Sequence, residues 1–316
     1  MACASVPSLP KRPEMRTEFW GFTAPWDSRS ARSVTVHAAR LDAVVSGWIA
    51  LDSATFQPVT LFPDTFVTHT GADMETRPMT LVTSYHGTRF HPETVRGLSA
   101  DSAVLAGAAG GIATIVKAQG YRGIILDLEG MTPTDLPALL TFTRAVTDSA
   151  HAHGIAPVAL AIPATDTAAY PGRPLLQSVD CLVVMLYDQH WLTSPPGPIA
   201  SPDWAQRVLG VRLAEVGPTK VVAAFPAYGY QWRSDSATAV LSYSDAVRLS
   251  ASAHVPLERD PASMTLHAQA AGWTVWTSDA VLLERLVQDA RRDGVTRFAI
   301  WRLGLEDAAV WTRVIP

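Results

Sequence analysis

The chain has 316 residues, of which 48% are hydrophobic and 17% charged, with a formal net charge of −4. This composition builds a sizeable core and excludes an intrinsically disordered chain; the length suits one large domain, such as an α/β barrel, or two small ones. The acidic balance, with no dominant basic patch, argues against nucleic acid as the partner, and no run of about 18 apolar residues marks a membrane-spanning helix.

Residues 1–18 open with MACASVPSLPKRP and read as a flexible tail without a charged-then-apolar secretion signal. From residue 19 to 316, β-like runs alternate with helical ones. The β-like runs are FWGFTAP (19–25), AVVSGWIALD (43–52), MTLVTSY (79–85), GIILDLE (123–129), APVALAI (156–162), CLVVMLYD (181–188), KVVAAFPAYG (220–229) and RFAIWRLG (297–304). Helical periodicity runs through about 101–119, through TDLPALLTFTRAVTDSAHAHG with its stop at Gly154, and through DWAQRVLGVRLAEVG. Several β-like runs are continuously apolar, as strands buried on both faces are. Eight such runs predict an α/β fold, a (β/α)8 TIM barrel. Residues 230–278 are more polar and fit no single helix, so they are expected to form a small insertion between strands 7 and 8. Cys181 reads as a small core residue, and a disulfide to Cys3 in the tail is not expected.

Polar residues collect where strands end. Asp127 and Glu129 close the fourth run, Tyr187 and Asp188 the sixth; Tyr228 follows the seventh and Trp301 lies in the eighth. In a barrel the C-terminal strand ends carry the active site. Strand side chains alternate, so Asp127 and Glu129 share a face while Leu126 and Leu128 point to helices. Both acids are expected in one pocket, where mutual repulsion would keep one protonated near neutral pH.

These residues resemble the family 18 glycoside hydrolases, the chitinase-type barrels. RGIILDLE keeps Gly123, Asp127 and Glu129 of the family's Asp-Gly-x-Asp-x-Asp-x-Glu pattern, with Arg122 and Ile125 at its first two acids; MLYD matches its Met-x-Tyr-Asp at Met185, Tyr187 and Asp188. FPAYGYQW and FAIWRLGLED resemble its later motifs, and FWGFTAPWDSRS with YDQHWLTSPPGPIASPDW is similar to a bacterial branch related to spore-cortex hydrolases and to modules fused to polysaccharide deacetylases. The resemblance implies a glycosidase acting on β-linked N-acetylglucosamine polymers, chitin or peptidoglycan glycan among them, as a monomer and without cofactor. It implies Glu129 as general acid and base, Asp127 as the orienter of the substrate's acetamido group and Tyr187 as its hydrogen-bond donor. Met185, Asp188, Tyr228 and Trp301 would line the sugar site, with His190 in the following loop as a further contact. Ile125 replaces a family acid, from which Asp127 is expected to ionise more readily. The Ala-Cys head of the tail also resembles a mature bacterial lipoprotein with an added Met, which implies a place outside the cytoplasm.

Other features carry less. His151 and His153 lie two apart on a helix and share no face; His86 and His91 flank a loop; none has zinc spacing, so no metal is expected. AGAAGG (106–111) lacks a phosphate-loop lysine and reads as tight helix packing. Trp191, Trp232, Trp273 and Trp276 are candidates for an aromatic sugar platform or for core. Two rivals to the hydrolase remain: a catalytically weak or inactive carbohydrate-binding protein on the same barrel, and a scaffolding module of a polysaccharide-export assembly.

Overall fold

The computed structural model describes residues 16–62 and 75–315. Most of the expected tail, residues 1–15 with Cys3, therefore lies outside the described residues. Eight parallel strands close a barrel: β1 Glu18–Phe22, β2 Ala43–Leu51, β3 Arg77–Thr83, β4 Ile124–Asp127, β5 Val158–Pro163, β6 Cys181–Met185, β7 Val221–Pro226 and β8 Arg297–Trp301. Each pairs with the next, and β1 closes the ring by pairing with both β2 (Trp20 opposite Ala43) and β8 (Glu18 opposite Arg297). Each of the eight β-like runs of the sequence overlaps one of these strands.

Two layers of apolar packing follow from strand alternation. Ile124, Leu126 and Leu128 of β4 face the helices, with Val82 of β3 and Leu160 and Ile162 of β5. Ile125 points inward, with Trp20, Met79, Leu81, Ala159, Cys181, Val183, Val222 and Ala299. The barrel interior is thus a packed plug, and Cys181 is part of it; desolvation pushes its thiol up to about 11, so it stays an inert apolar group. Gly47 sits at a register shift in β2, where an added Cβ would meet the Tyr121 ring at 2.3 Å.

Helices cover the outside where periodicity placed them: Ser102–Ala118 capped by Asp101, Leu136–Ala152, and Pro202–Val216. The AGAAGG run packs inside a helix as expected, and it does so mainly through its alanines. Gly107 and Gly110 face open space, and only Gly111 lies close to a neighbour, Pro58, while Ala108 and Ala109 are the buried positions. Small alanines, not those two glycines, give this helix its close contact. Between β7 and β8 the chain builds an antiparallel five-stranded sheet, in spatial order Ala239–Leu241, Gly229–Arg233, Trp273–Thr277, Leu266–Ala270 and Glu258–Arg259, with helix Tyr243–Ser252. Its first strand begins one residue after Tyr228, so the sheet grows directly from the C-terminal end of β7.

Candidate active site

The C-terminal ends of the strands enclose a cleft of two joined lobes. The deeper lobe, about 310 Å³, is lined by Asp127, Glu129, Met185, Tyr187, Asp188 and Trp301, with Phe22, Trp26, Trp48, Leu81, Tyr85 and Phe90 as aromatic and apolar wall. The second, about 250 Å³, shares Glu129, Met185, Tyr187 and Asp188 and continues past Pro163, Thr165, Gln189, Trp191 and Trp204. Glu129 and Asp188 therefore stand at the junction.

Glu129 reaches that junction because the chain leaves β4 there. Gly130, at φ +77°, makes the turn that L residues rarely adopt. Below it, the buried Tyr170 hydroxyl donates to the Leu128 carbonyl at 2.8 Å and accepts from the Met131 amide at 3.1 Å. Tyr170 is in turn held by Arg212, which is fully buried and donates to the carbonyls of Tyr170 (2.7 Å), Pro163 (2.6 Å) and Asp166 (2.8 Å). A guanidinium with its donors spent on carbonyls can tie two loops together without a counter-charge on every arm. Tyr170 and Arg212 were not singled out in the sequence. Arg212 follows Val208 and Leu209 on the buried face of its helix, and that position for a charge is the signal that could have found it.

Asp127 accepts from the hydroxyl of Thr83 on β3 at 3.2 Å. Its carboxyl is raised above the usual range by desolvation, which this hydrogen bond opposes. Glu129 is raised by desolvation first, then by the charges of Asp127 and Asp188. Both carboxyls touch the cleft yet have protein on most sides. One expectation is corrected here: burial, more than mutual repulsion, raises these carboxyls. Ile125, at the place of a family acid, is one of the buried apolar residues of the barrel interior.

Asp188 opens to the cleft from a left-handed backbone position, φ +57°. One of its oxygens receives both the Tyr228 hydroxyl (2.5 Å) and the Tyr230 hydroxyl (2.9 Å), bonds that partly offset the upward pull of desolvation. Tyr228 is buried and lines neither lobe, so its expected place against the sugar is corrected: it acts on the cleft through Asp188. Tyr187 lines both lobes, its phenol raised by desolvation and by Glu129, and Trp301 meets Phe22 edge-on at 5.8 Å. His190 is a second correction. Its Nδ1 bonds the Pro195 carbonyl at 3.0 Å and its ring packs over Gly197, so it shapes its own loop and lines neither lobe.

Of the four tryptophans considered as a platform, only Trp191 lines the cleft, half exposed. Trp232 is buried and donates to the Ser194 carbonyl, and Trp276 stacks on His267. Trp26, Trp48 and Trp204 line the cleft and were missed, although Trp26 follows β1 at the end where such residues belong. The Trp48 indole N–H is buried in that wall with no protein partner among the described residues. Among the described residues no group of His, Cys, Asp and Glu could hold a metal. His91 spends its ring nitrogens on Glu93 and the His86 carbonyl, and His151 pairs with Asp180. No single helix among them is long and apolar enough to cross a membrane.

No protein-family model matches the chain. The cortical fragment-lytic enzyme of Bacillus anthracis is 23% identical over 260 residues, covering 76% of this chain and 60% of that protein. The chain spans about 58–62% of the length of the curated relatives it matches. Among solved structures, the spore cortex-lytic enzyme SleL of Bacillus cereus has a TM-score of 0.83 at 19% identity over 96% of this chain and 75% of that one. A chitinase from Chromobacterium violaceum has a TM-score of 0.82 at 20% identity, covering 94% and 98%. These likenesses establish the barrel. With the acids of β4 and the Met-x-Tyr-Asp end of β6, the sequence relatives support the resemblance to the chitinase-like family 18 of glycoside hydrolases.

Proposed function

We propose that the cleft hydrolyses β-linked N-acetylglucosamine chains with retention, the substrate's own acetamido oxygen making the attack. One observation carries this reading: Asp127 and Glu129 stand on one face of a single strand end, bordering the same cleft. A retaining enzyme with a protein nucleophile needs two carboxyls about 5–5.5 Å apart across the scissile bond. Neighbours on one strand approach a sugar from one side, so Asp127 is badly placed to attack the face opposite Glu129. An acetamido oxygen held against the anomeric carbon supplies the nucleophile at high effective concentration instead.

In this mechanism Glu129, protonated at rest, gives its proton to the glycosidic oxygen and then takes one from water. Asp127 holds the acetamido N–H and stabilises the cationic ring that forms when its oxygen closes on the anomeric carbon. Tyr187 directs its hydroxyl to the acetamido oxygen; Trp301 supplies the apolar floor. Met185 borders both sugars at the junction, and Asp188, fixed by two tyrosines, takes a sugar hydroxyl. Trp191 offers an exposed indole face to the sugar on the leaving side. The relatives' names, a chitinase and cortex-lytic enzymes, support a glycan of this class. The protein would act as a monomer, without cofactor, outside the cytoplasm where such polymers lie.

The test is product analysis after incubation with N-acetylglucosamine oligomers and with peptidoglycan. The first-formed product should keep the β configuration, fully de-N-acetylated oligomers should be very poor substrates, and activity should survive a chelator. Rapid hydrolysis of the de-N-acetylated oligomer, or a sugar trapped covalently on Asp127, would overturn the mechanism. Tight binding with no turnover would favour the carbohydrate-binding rival, to which Ile125 beneath Asp127 gives its support.

A further inference from the structure

Asp127 and Glu129 share one pocket, and among the described residues no cation lines it; Asp188, Tyr187 and Tyr85 are its other titratable walls among them, with Tyr170 beneath the Glu129 turn. β5 and β8 contribute only Ala161 and Trp301, and the nearby Arg302 is spent on Asp27 at 3.0 Å. Two acids without a cation compete for protons, and the mechanism works only when Glu129 keeps one and Asp127 has lost its own. Something must break the symmetry between them. Position does not favour the needed outcome, since Asp127 is the deeper of the two and burial alone would protonate it first.

Hydrogen bonding does favour it. Thr83 on β3 is the register partner of Asp127, and its side chain is fully buried. The Thr83 hydroxyl accepts the Tyr85 backbone amide at 2.9 Å and lies 3.2 Å from the Asp127 carboxyl. A hydroxyl has one proton. With the amide aimed at its oxygen, that proton has the carboxylate as its acceptor. A protonated Asp127 would accept that proton only at its carbonyl oxygen and give up the charge-assisted bond, which is roughly twice as strong as a neutral one. No side-chain hydrogen bond to Glu129 exists among the described residues to do the same for it. We propose that Thr83 is a positioning residue: its hydroxyl, oriented by the Tyr85 amide, assigns the charge to Asp127 and thereby leaves the proton on Glu129.

This rests on the hydrolase reading for its catalytic consequence but not for its chemistry. The experiment has two arms, both on the full chain. Thr83→Val keeps the shape and removes the proton; Thr83→Ser restores it. In the first arm, pH profiles of kcat/KM on an N-acetylglucosamine oligomer are compared. The active form needs Asp127 ionised, so Thr83→Val should move the acid limb to higher pH, narrow the bell and lower its maximum roughly ten- to a hundredfold, with Thr83→Ser close to wild type. In the second arm, carboxyl carbons of Asp and Glu are followed by NMR titration, with Asp127→Asn and Glu129→Gln assigning the signals. Asp127 should ionise before Glu129 in wild type, and at higher pH in Thr83→Val. An unshifted Asp127 titration in Thr83→Val, or Glu129 ionising first in wild type, would overturn the proposal. Should no glycan be cleaved by wild type, the hydrolase reading fails while the titration still decides the role of Thr83.

Discussion

Asp27 and Glu129 both stand just past the C-terminal end of a barrel strand, β1 and β4, and their surroundings treat them oppositely. Asp27 receives the side chain of Arg29 (2.9 Å), the Arg29 backbone amide (3.0 Å) and Arg302 (3.0 Å), while capping the helix Ser28–His37. The Arg29 hydrogen bond above all holds its carboxyl down, at about 2. Glu129 has no cation beside it among the described residues, and desolvation followed by the charges of Asp127 and Asp188 pushes it up. Asp27 is an acid used as structure. Glu129 is an acid kept at an energetic disadvantage, and a carboxyl raised in this way suits the general-acid role proposed for it. The same contrast holds inside the cleft: Asp188 is buffered by two phenols, Asp127 by a single hydroxyl.

The largest expected effect is on turnover. Glu129→Gln keeps the shape and removes the proton, and hydrolysis should fall about 10²–10⁴-fold. The measurement is kcat on N-acetylglucosamine oligomers beside a thermal melt. An unaltered turnover would remove Glu129 from the mechanism and erase the contrast with Asp27.

The acids were legible in the sequence and their governors were not. Asp127 and Glu129 stood out because carboxylates at alternate positions interrupt an apolar run, a local pattern. Tyr187 and Trp301 were found by the same rule, through their place at strand ends. Thr83 was invisible, because its significance lies in a register pairing across 44 residues of chain. Tyr230 was passed over beside Tyr228 for a related reason: only the turn from β7 into the antiparallel sheet brings both phenols to one oxygen of Asp188. His190 misled because nearness in sequence to the Tyr-Asp pair says nothing of where a loop side chain turns. The barrel itself was readable, since eight apolar runs broken by amphipathic helices allow few other closures. AGAAGG shows the limit of composition, for which residue of a small-residue helix faces inward is a matter of phase.

A second prediction sharpens the comparison through stability. For an acid raised in the folded state, the native protein binds more protons than the unfolded chain, so stability falls as pH rises from the unfolded value through the raised one. Replacing Glu129 by Gln removes this cost. The variant should match wild type near pH 4 and exceed it increasingly toward alkaline pH, by about 2 kcal/mol. Urea midpoints across pH 4–9 read this directly. A variant less stable than wild type throughout would mean that Glu129 is held by favourable contacts, as Asp27 is.

The smallest effect belongs to Asp27, and its sign is reversed. Asp27→Asn keeps the helix cap, since asparagine caps as well as aspartate, and removes only the charge. A carboxyl lowered in the folded state stabilises above its unfolded value, near 3.8, and that contribution is lost as pH falls toward about 2. The shift alone would be worth roughly 2.5 kcal/mol. Arg29 is largely open to solvent, and its second partner, Asp245 at 2.8 Å, remains after the substitution. Screening and that remaining pair reduce the cost to about 1 kcal/mol. Asp27→Asn should therefore melt slightly below wild type at pH 7, converge with it near pH 2, and lose most of the difference in 1 M salt, where charges are screened beyond about 3 Å. Glycan turnover should stay unchanged, because Asp27 lines neither lobe of the cleft. A loss of turnover comparable to that of Glu129→Gln, with stability intact, would show that the paired acid of β1 also belongs to the chemistry and that pairing does not separate structural from reactive carboxylates at this rim.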